Sequence, residues 1–433
     1  MQEIRGTKDL WGDEVGLFRH MEAKAHALMP LYDYSEIRTP IFESTEIFVR
    51  GIGEETDIVS KEMYTFADRK GRSLTLRPEG TAPVVRALLQ HQFLKQQGQT
   101  KFYYIGPMFR YERPMKGRQR QFHQIGVEYF GSADPSADAE VISVFTFYLE
   151  SLGFKNLVCK LNTLGSAECR RAYSMKLREL LLPMKDELCE DCRTRIESNP
   201  MRVLDCKNPS CQAKYEALPS TNDVLDEPSR AHYDKVRRCL DTMGIAYVET
   251  PKLVRGLDYY THTVFETCMS GGLGTQDTVF AGGRYDGLVQ SLGGPATPAV
   301  GASAGMERIA LAMVAEGLAP APPDAPSLYF LALDETCVAP VAALADNIRR
   351  QGFSVRFDAG ARSLKSGLRQ ADKSGIAFAV IMGGNEMNQG KVLVKNLSDS
   401  KQDEVALGDL EKFLRKTISG ARAATHPIAQ RTE

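Results

Sequence analysis

The sequence predicts an α+β unit that is interrupted by a helical insertion and followed by a smaller α/β unit. The first unit is indicated by two strand-like segments, 102–111 and 121–130, which one loop joins as in an antiparallel pair. Strand patterns are missing from 166 to about 245, which favours a helix-rich insertion there. The Pro- and Ala-rich stretch 317–327 is typical of a linker, and strands alternate with helices after it.

These patterns set the expected domain boundaries. The first unit is expected to span 1–325, with the insertion at 166–245 inside it. The second is expected to span 326–420, and 421–433 is expected to form a flexible tail.

The first unit begins with a helix and a strand. Apolar residues recur at helical spacing over 14–30, and 34–42 has the composition of a strand. A further short strand from Leu74 leads to Thr81, which is placed to cap a helix that runs to about Phe93. Both the first helix and the strand after it have apolar faces, so both are expected to pack on a core.

The basic stretch 112–120 joins the two facing strands and is predicted to form a long exposed loop. Side chains on a strand alternate between its two faces. This alternation places Ile125, Val127 and Tyr129 on one face of the second strand, and Phe122, Gln124, Gly126 and Glu128 on the other. An amide and a carboxylate that flank a glycine on one face favour a ligand site over that face.

The second unit is predicted to contain four strands and three helices. In order they are a strand at 328–333, a helix near 338–351, a strand at 354–357, a helix near 362–374, strands at 376–382 and 391–397, and a helix near 404–418. This order predicts an α/β layer with a mainly parallel sheet. One helix face is basic, although a solvated surface would produce the same stripe. The stripe consists of Arg362, Lys365, Arg369 and Lys373.

The overall composition is that of a globular protein without a net electrostatic bias. Its 433 residues are 43% hydrophobic and 25% charged, and the formal net charge is -1. This charge gives no overall attraction for nucleic acid or an anionic membrane, so a polyanion would have to bind local basic patches. Residues 1–20 lack the apolar core of a signal peptide, and no stretch reaches the ~18 apolar residues that span a bilayer. We therefore expect a cytoplasmic protein without membrane contact.

The chain holds nine cysteines, an odd number that favours free thiols in a reducing compartment over a disulfide framework. Four of them, Cys189, Cys192, Cys206 and Cys211, have the spacing C-x2-C-x13-C-x4-C. This spacing is compatible with a tetrahedral zinc knuckle, although the second pair is wider than usual. Four free thiols are the alternative, and the remaining cysteines are expected to be small packing residues.

The hairpin at 110–120, which includes the end of the first strand and the loop after it, gathers side chains that are suited to phosphate. Guanidinium groups pair with phosphate oxygens, and an aromatic ring offers a face to a base. The sequence has no GxxxxGK[ST] phosphate loop, so a nucleotide here would be held by side chains. An RNA-contacting loop or a solvated surface would also account for the cluster. Its members are Arg110, Glu112, Arg113, Lys116, Arg118 and Arg120, with Phe122 just after them.

Three further motifs are weak when each is taken alone. Segment 255–266, RGLDYYTHTVFE, opens a predicted strand with an arginine, and its structural explanation is an ion pair with Asp258. Segment 281–287, AGGRYDG, is predicted to be a glycine-bounded loop that a ligand approaches closely, or a simple tight turn. Segment 301–311 is predicted to be a strand that runs into a helix bearing Arg308, which as a surface arginine would need no function.

Together these motifs resemble bacterial histidyl-tRNA synthetases, and the similarity extends over nearly the whole chain. YSEIRTPIFE, FRYE with the basic loop, and GMER look like the three signature motifs of class II synthetases, whereas RGLDYYT and AGGRYDG resemble a histidine-specific pair. The segments occur in the family's order: RPEGT at 77–81, FRYERPMKGRQRQFHQIGVEYFG at 109–131, LVRGLDYYTHTVFE at 253–266, AGGRYDGL at 281–288 and GMERI at 305–309.

The resemblance implies a class II catalytic domain of the α+β type, built on a six-stranded antiparallel sheet, and a C-terminal α/β anticodon-binding domain. It implies a homodimer with 34–43 at its interface. It also implies that L-histidine reacts with ATP, in the presence of Mg²⁺, to give histidyl-adenylate and pyrophosphate. Histidine is then transferred to the 3′ end of tRNA(His).

For ATP, the resemblance places Arg110 at the α-phosphate, Arg118 at the γ-phosphate and Glu112 at the adenine amino group. Phe122 and Arg308 are placed on the two sides of the adenine ring. Stacking between an aromatic face and a guanidinium plane, and neutralisation of the phosphates by arginines, fit these assignments.

For histidine, the resemblance implies a pocket that reads both ring nitrogens, and it implies no protein ligands for a metal. Arg255 is implied to approach the α-phosphate opposite Arg110, where it stabilises charge as a metal ion does in related synthetases. The implied pocket residues are Glu79 and Thr81 at the α-amino group with Gln124 nearby, Glu128 and Tyr260 around the imidazole, and Tyr259 and Tyr285 along the wall.

Two alternatives share many of these features. A regulatory paralogue that binds histidine without catalysis would normally lack the C-terminal domain and Arg255, and both are present here. A class II synthetase for another amino acid would lack the pairing of Glu128 with Tyr260. The basic stripe at 362–373 is expected to lie in the anticodon-binding domain, and the insertion is expected to contact the acceptor arm of the tRNA.

Overall fold

The computed structural model describes residues 1–53, 56–269, 278–320, 327–358 and 360–418. Its internal contacts divide the chain into two compact units, Met1–Ala321 and Pro322–Glu433. The expected boundary between 325 and 326 and the expected tail at 421–433 lie outside the described residues.

Helices and strands are numbered in chain order. The helices are α1 (Gly12–Leu28), α2 (Thr45–Ile52), α3 (Thr81–Gln90), α4 (Phe93–Gln97), α5 (Ser136–Ser151), α6 (Ala167–Leu181), α7 (Glu190–Ser198), α8 (Pro209–Tyr215), α9 (Glu227–Met243), α10 (Leu288–Ser291), α11 (Met306–Ala315), α12 (Glu335–Arg350), α13 (Leu364–Lys373), α14 (Gly384–Asn388) and α15 (Leu410–Thr417). The strands are β1 (Ser35–Glu36), β2 (Phe42–Ser44), β3 (Tyr64–Ala67), β4 (Ser73–Leu76), β5 (Thr100–Phe109), β6 (Gln121–Phe130), β7 (Val158–Thr163), β8 (Tyr247–Glu249), β9 (Thr261–Cys268), β10 (Thr278–Arg284), β11 (Ala299–Gly305), β12 (Leu328–Ala332), β13 (Val355–Phe357), β14 (Phe378–Met382), β15 (Lys391–Asn396) and β16 (Gln402–Ala406).

The first unit is built on an eight-stranded sheet with the order β1-β5-β6-β11-β10-β9-β7-β8. The strands from β5 to β7 in this order pair antiparallel. The short strands β1 and β8 add parallel pairings at the two edges. The antiparallel sheet that the resemblance implied is therefore confirmed, with one extra strand at each edge.

The two faces of this sheet have different partners. One face packs under α1, α5, α9 and α11, and the predicted apolar set Ile125, Val127 and Tyr129 belongs to that core. The opposite face packs partly against α3 and against α6, α7 and α8 of the insertion. The alternation predicted for β6 is confirmed, because Gln124 and Glu128 point away from the large core and toward the opposite face.

Two predictions near the N-terminal end are wrong. Segment 34–42 does not form one strand: β1 joins the main sheet, and β2 joins a separate three-stranded sheet with the order β2-β4-β3. Pro40 has no N–H to donate to a ladder, and the carbonyl of Thr39 accepts from the guanidinium of Arg77 at 3.0 Å. Helix α3 ends at Gln90 rather than Phe93, because Gln92 adopts φ 54 and α4 begins after it.

The prediction that Thr81 caps α3 is wrong. Thr81 is the first residue of the helix and follows Gly80. The carboxylate of Glu79 instead accepts hydrogen bonds from the backbone N–H groups of Thr81 and Ala82, at 2.7 and 2.8 Å. These donors have no partner within a helix, so a carboxylate satisfies them well. The hydroxyl of Thr81 is therefore left for another contact.

The insertion is helical, as predicted. Between β7 and β8 the described residues form α6, α7, α8, α9 and short 3-10 turns, and they contain no strand. Ser166 caps α6 and Asp226 caps α9, each by accepting a hydrogen bond from a backbone N–H group three residues later.

The second unit has a mixed sheet with the order β13-β12-β14-β15-β16. The prediction of a mainly parallel sheet is wrong, because β14, β15 and β16 pair antiparallel while β12, β13 and β14 pair parallel. Strand β16 also occupies residues where a helix was predicted from 404. It forms because a turn at Ser400, with φ 60, returns the chain and buries Val405 in the core. Within the described part of the chain, each helix is too short or too polar to cross a membrane.

Candidate active site

A cavity of about 670 Å³ lies over the face of the main sheet opposite the large core. It gathers residues from motifs that are far apart in the sequence. Of the thirteen predicted site residues, Glu128 alone is not in its wall, and it contacts two residues that are. The predicted residues in the wall are Glu79, Thr81, Arg110, Glu112, Arg118, Phe122, Gln124, Arg255, Tyr259, Tyr260, Tyr285 and Arg308.

Glu128 forms the buried end of the site. The hydroxyl of Thr81 donates to its Oε1 at 2.6 Å, and the hydroxyl of Tyr285 donates to its Oε2. The carboxyl group is 1% exposed, and burial raises its pKa to about 8, because the charged form loses its hydration. Gly301 makes room for this group, since a Cβ at that position would lie 1.9 Å from Oε2.

Two more polar side chains lie beside Glu128. Burial raises the pKa of Glu79, whose oxygens accept the helix donors described above. The Nε2 of Gln124 donates to the hydroxyl of Ser303 at 3.3 Å, while its buried Oε1 has no hydrogen-bond partner among the described residues. A buried acceptor without a partner is costly, so this end of the cavity is suited to a ligand that donates hydrogen bonds.

Three tyrosines line the same end. The ring centroids of Tyr259 and Tyr260 are 4.7 Å apart, and those of Tyr259 and Tyr285 are 5.4 Å apart. Burial raises the pKa of all three phenols, which therefore remain neutral donors near pH 7. Gly283 allows this packing, since a Cβ there would lie 2.8 Å from the ring of Tyr260.

The segment AGGRYDG is not the loop that the sequence predicts. Ala281, Gly282, Gly283 and Arg284 form the end of β10, in the middle of the sheet, and only the last three residues leave it. A Cβ on Gly282 would lie 2.2 Å from the carbonyl oxygen of Gly301 on the neighbouring strand. The glycines therefore serve close strand packing rather than a tight turn. Arg284 is fully buried and pairs with Asp138.

The other end of the cavity is cationic. Arg110 donates from Nε to the carbonyl oxygen of Pro78 at 2.8 Å and lies 5.4 Å from the ring centroid of Phe122. Arg118 pairs with Glu112 at 2.8 Å. Arg308 donates to the carbonyl oxygen of Thr278 at 3.0 Å. Burial lowers the pKa of Arg308, and the nearby arginines Arg118, Arg110 and Arg255 lower it further. Several guanidinium groups that repel one another favour a polyanionic ligand.

The ion pair between Arg255 and Asp258, which the sequence suggested as a purely structural role for the arginine, is not formed. The guanidinium of Arg255 lies 3.2 Å from Oε2 of Glu266 on β9, and it is part of the cavity wall. Asp258 instead accepts from Nδ2 of Asn199 at 2.7 Å and lies 3.6 Å from Arg170. Both of these partners belong to the insertion, so the local sequence did not show them.

Sequence reasoning missed several residues of the wall. The ring of Tyr104 on β5 fills the space above two glycines, since a Cβ on Gly80 or Gly126 would lie 2.2 Å from it. Tyr104 is opposite Gly126 in the β5–β6 register. The alternation that selected Gly126 would have selected Tyr104 once that register was known. Glu266 and the insertion residue Lys207 also line the wall, and no sequence signal marked the latter.

The antiparallel sheet, the bipolar cavity above it and the α/β unit that follows define a class II aminoacyl-tRNA synthetase. A family model described as "Histidyl-tRNA synthetase" matches residues 6–309, and one described as "Anticodon binding domain" matches 327–417. The chain belongs to the histidyl-tRNA synthetase family.

Individual relatives agree with this assignment over almost the full length. The "Histidine--tRNA ligase" of Halothermothrix orenii is 44% identical over 414 residues, which are 96% of this chain and 99% of that relative. That of Solidesulfovibrio magneticus is 48% identical over 419 residues, which are 96% of this chain and 98% of the relative. The crystal structure of apo Staphylococcus aureus histidyl-tRNA synthetase superposes with a TM-score of 0.79 at 36% identity, covering 95% of this chain and 99% of that one. A regulatory paralogue without a C-terminal domain and a synthetase for another amino acid are thereby set aside.

Proposed function

We propose that this chain activates L-histidine with ATP, giving histidyl-adenylate and pyrophosphate, and then transfers histidine to the 3′ end of tRNA(His). The family assignment supports the reaction. The single observation that supports the proposed positions of the two substrates is the bipolar cavity, which has buried carboxyl groups at one end and a cluster of arginines at the other. An amino acid with a cationic head and a polyanionic nucleotide fit these two ends side by side.

Histidine occupies the Glu128 end in this proposal. The carboxyl group of Glu128 accepts from one ring nitrogen, and the phenol of Tyr260 meets the other, so both nitrogens are recognised. Glu79, Thr81 and the unpartnered Oε1 of Gln124 bind the α-ammonium group. The rings of Tyr259 and Tyr285 close the sides of the pocket. An analogue that lacks either nitrogen leaves a buried polar group unpaired, at a cost of about 1–3 kcal/mol.

ATP occupies the cationic end. Arg110 binds the α-phosphate and Arg118 the γ-phosphate, while Glu112 accepts from the adenine amino group. The present pair between Arg118 and Glu112 would open, and each side chain would gain a partner on the nucleotide. Phe122 and Arg308 stack on the two faces of the adenine.

Mg²⁺ is part of the proposal as a partner of the phosphates. Hard cations take oxygen ligands, and the phosphate oxygens of ATP supply them. The ion would be held by these oxygens and would neutralise phosphate charge, and no side chain of this chain is assigned to it.

Arg255 and Arg110 perform the catalytic work by stabilising charge. The carboxylate of histidine attacks the α-phosphorus, a P–O bond forms, and the bond to pyrophosphate breaks. Two guanidinium groups that approach the α-phosphate from opposite sides stabilise the pentacoordinate transition state. Arg255 exchanges its contact with Glu266 for the phosphate. The terminal ribose hydroxyl of the tRNA then attacks the adenylate carbonyl, and AMP leaves.

The remaining partners follow from exposed surfaces. The side chains of Lys365, Arg369 and Lys373 are exposed along α13, which suits the anticodon arm of tRNA(His), whereas Arg362 precedes that helix and pairs with Asp358. Apolar residues near 34–43 are exposed and suit a homodimer interface: Ile41 is 44%, Phe42 48% and Phe66 44% exposed. The cytoplasm, where tRNA is charged, is the proposed location.

Pyrophosphate exchange tests the proposed activity. Purified protein should exchange labelled pyrophosphate into ATP when histidine is supplied, and should then charge a tRNA(His) transcript but not a tRNA transcript for another amino acid. Exchange that is supported equally by other amino acids, or that is absent with histidine, would contradict the proposal.

A further inference from the structure

The insertion contains a four-cysteine cluster that the proposed reaction does not use. We propose that Cys189, Cys192, Cys206 and Cys211 bind one structural zinc ion through their four thiolates. Their sulfur atoms all lie within 4.8 Å of one another. With Zn–S bonds of about 2.3 Å, a tetrahedron has sulfur atoms about 3.8 Å apart. The Sγ atoms of Cys189 and Cys206 are 3.7 Å apart, which suits two ligands of one ion and is far beyond the ~2.05 Å of a disulfide.

The fold brings these cysteines together from separate segments. Cys189 precedes the first residue of α7, and Cys192 lies in its first turn. Cys206 follows a 3-10 helix, and Cys211 lies in α8. All but the half-buried Cys189 are buried. Two short pairs that converge from different segments are the usual arrangement of a structural zinc site, and the wider second pair is accommodated by the turn before α8.

Hydrogen-bond donors point at three of the sulfur atoms. The N–H group of Cys189 donates to Sγ of Cys211 at 3.3 Å, and that of Asn208 donates to Sγ of Cys206 at 3.4 Å. The hydroxyl of Tyr215 donates to Sγ of Cys192 at 3.1 Å. Donors of this kind orient thiolate ligands and stabilise their charge.

The position of the cluster gives the metal a structural task. Leu204 and Lys207, on either side of Cys206, line the active-site cavity. Arg202, in the same segment, donates to the carbonyl oxygen of Gly256, directly after Arg255, at 3.3 Å. A metal that fixes Cys206 therefore holds this wall of the cavity in place. This consequence rests on the proposed function, whereas the metal site itself does not.

Metal analysis of the full-length protein tests the site. Protein from zinc-supplemented growth, after desalting, should contain about one zinc ion per chain. Replacement by Co²⁺ should give the intense visible bands and the sulfur-to-metal charge-transfer band of a tetrahedral tetrathiolate. A protein without bound zinc whose Co²⁺ spectrum lacks those bands would overturn the proposal, and so would a disulfide within the cluster, mapped by peptide mass spectrometry.

Matched variants locate the metal. Cys206→Ser combined with Cys211→Ser should lose the zinc, whereas Cys239→Ser, a half-buried cysteine of α9, should retain it. Zinc that persists in the double variant would overturn the assignment. If the double variant does not fold, the zinc is removed from the parent protein with a chelator instead. Residues 188–216 should then become more sensitive to protease. Unchanged cleavage of this segment would overturn the structural role of the metal. Protein that holds zinc but shows no histidine-dependent exchange would contradict the proposed function and leave the metal site standing.

Discussion

The carboxyl group of Glu128 offers a direct test of the proposed histidine pocket, through its replacement by glutamine. The amide oxygen of glutamine retains one of the two hydroxyl donors, from Thr81 or Tyr285, and the other hydroxyl can turn to accept from the amide nitrogen. The fold should therefore be kept. A hydrogen bond to a charged group contributes about 1.5–3 kcal/mol, so the KM for histidine should rise by roughly 10- to 150-fold.

The pH dependence follows from the same group. Because burial raises the pKa of Glu128 to about 8, the free carboxyl group is protonated below that pH. Free imidazole is neutral above about pH 6.5. A complex of the Glu128 carboxylate with an imidazolium ring, whose two N–H groups donate to Glu128 and to the phenol oxygen of Tyr260, contains the same number of protons and therefore forms without net proton uptake between these values. Above pH 8 a proton must be taken up, so the KM for histidine should rise by about tenfold per unit, and Glu128→Gln should lack that rise.

The assay is histidine-dependent pyrophosphate exchange at saturating ATP, with histidine and pH varied. Glu112→Gln is the matched control, because Glu112 lies in the same cavity at the proposed adenine site. It should raise the KM for ATP and leave that for histidine unchanged. The reasoning fails if Glu128→Gln leaves the KM for histidine unchanged, raises both constants equally, or keeps the rise above pH 8.

Three further changes test other parts of the first unit. Arg255→Ala should lower the exchange rate at saturating ATP by roughly 100-fold or more while the equilibrium Kd for ATP changes little, and equal losses would argue against a transition-state role. Asp138→Ala removes the buried carboxylate that pairs with Arg284 on β10, which keeps Asp286 at 3.1 Å as a second partner, and should lower the free energy of unfolding by about 1.5–3 kcal/mol in urea titrations. Since the pKa of Asp138 is lowered to about 2, the stability that its charged form gives the folded state is present above pH 3.8 and is lost as the pH falls toward 2. The variant should lack this part of the acid dependence of unfolding. An unchanged acid profile would refute the stabilising role of the ion pair. Gly301→Ala places a Cβ 1.9 Å from Glu128 and should raise the KM for histidine at least tenfold. Gly287→Ala is the control, because its Cβ would meet no atom within 4 Å and should leave this KM unchanged. Equal kinetics of the two variants would contradict the proposed pocket.

Local patterns predicted much of the framework around the site. The two-residue period of 121–130 sorted Gln124 and Glu128 onto the face that meets the cavity, because strand geometry alone decides which side a residue takes. Apolar spacing predicted α1, and the loss of strand patterns predicted the helical insertion. Signals that depend on a few neighbouring residues were reliable where no distant residue competed.

Predictions failed where a distant partner decided the outcome. Threonine is a residue type that often caps a helix, but at α3 the carboxylate of Glu79 accepts from the first backbone N–H groups instead. The hydroxyl of Thr81 therefore donates to Glu128. Arg255 has a carboxylate three residues away, yet it pairs with Glu266 on β9, because Asp258 is held by the insertion. Strand β16 formed from residues with a helical pattern because β15 offered an edge to pair with.

The amino-acid sequence by itself determined the chemistry that this chain can offer: which side chains are cationic, acidic or aromatic, in which order they occur, and which face of a strand or helix carries them. Only the tertiary structure decided which of them meet. It set the register that places Tyr104 over Gly126, the closeness of four sulfur atoms from separate segments, and the burial that raises the pKa of Glu128. Local periodicity is written in neighbouring residues, whereas register, convergence and desolvation arise from residues that are distant in the chain and become neighbours only when it folds.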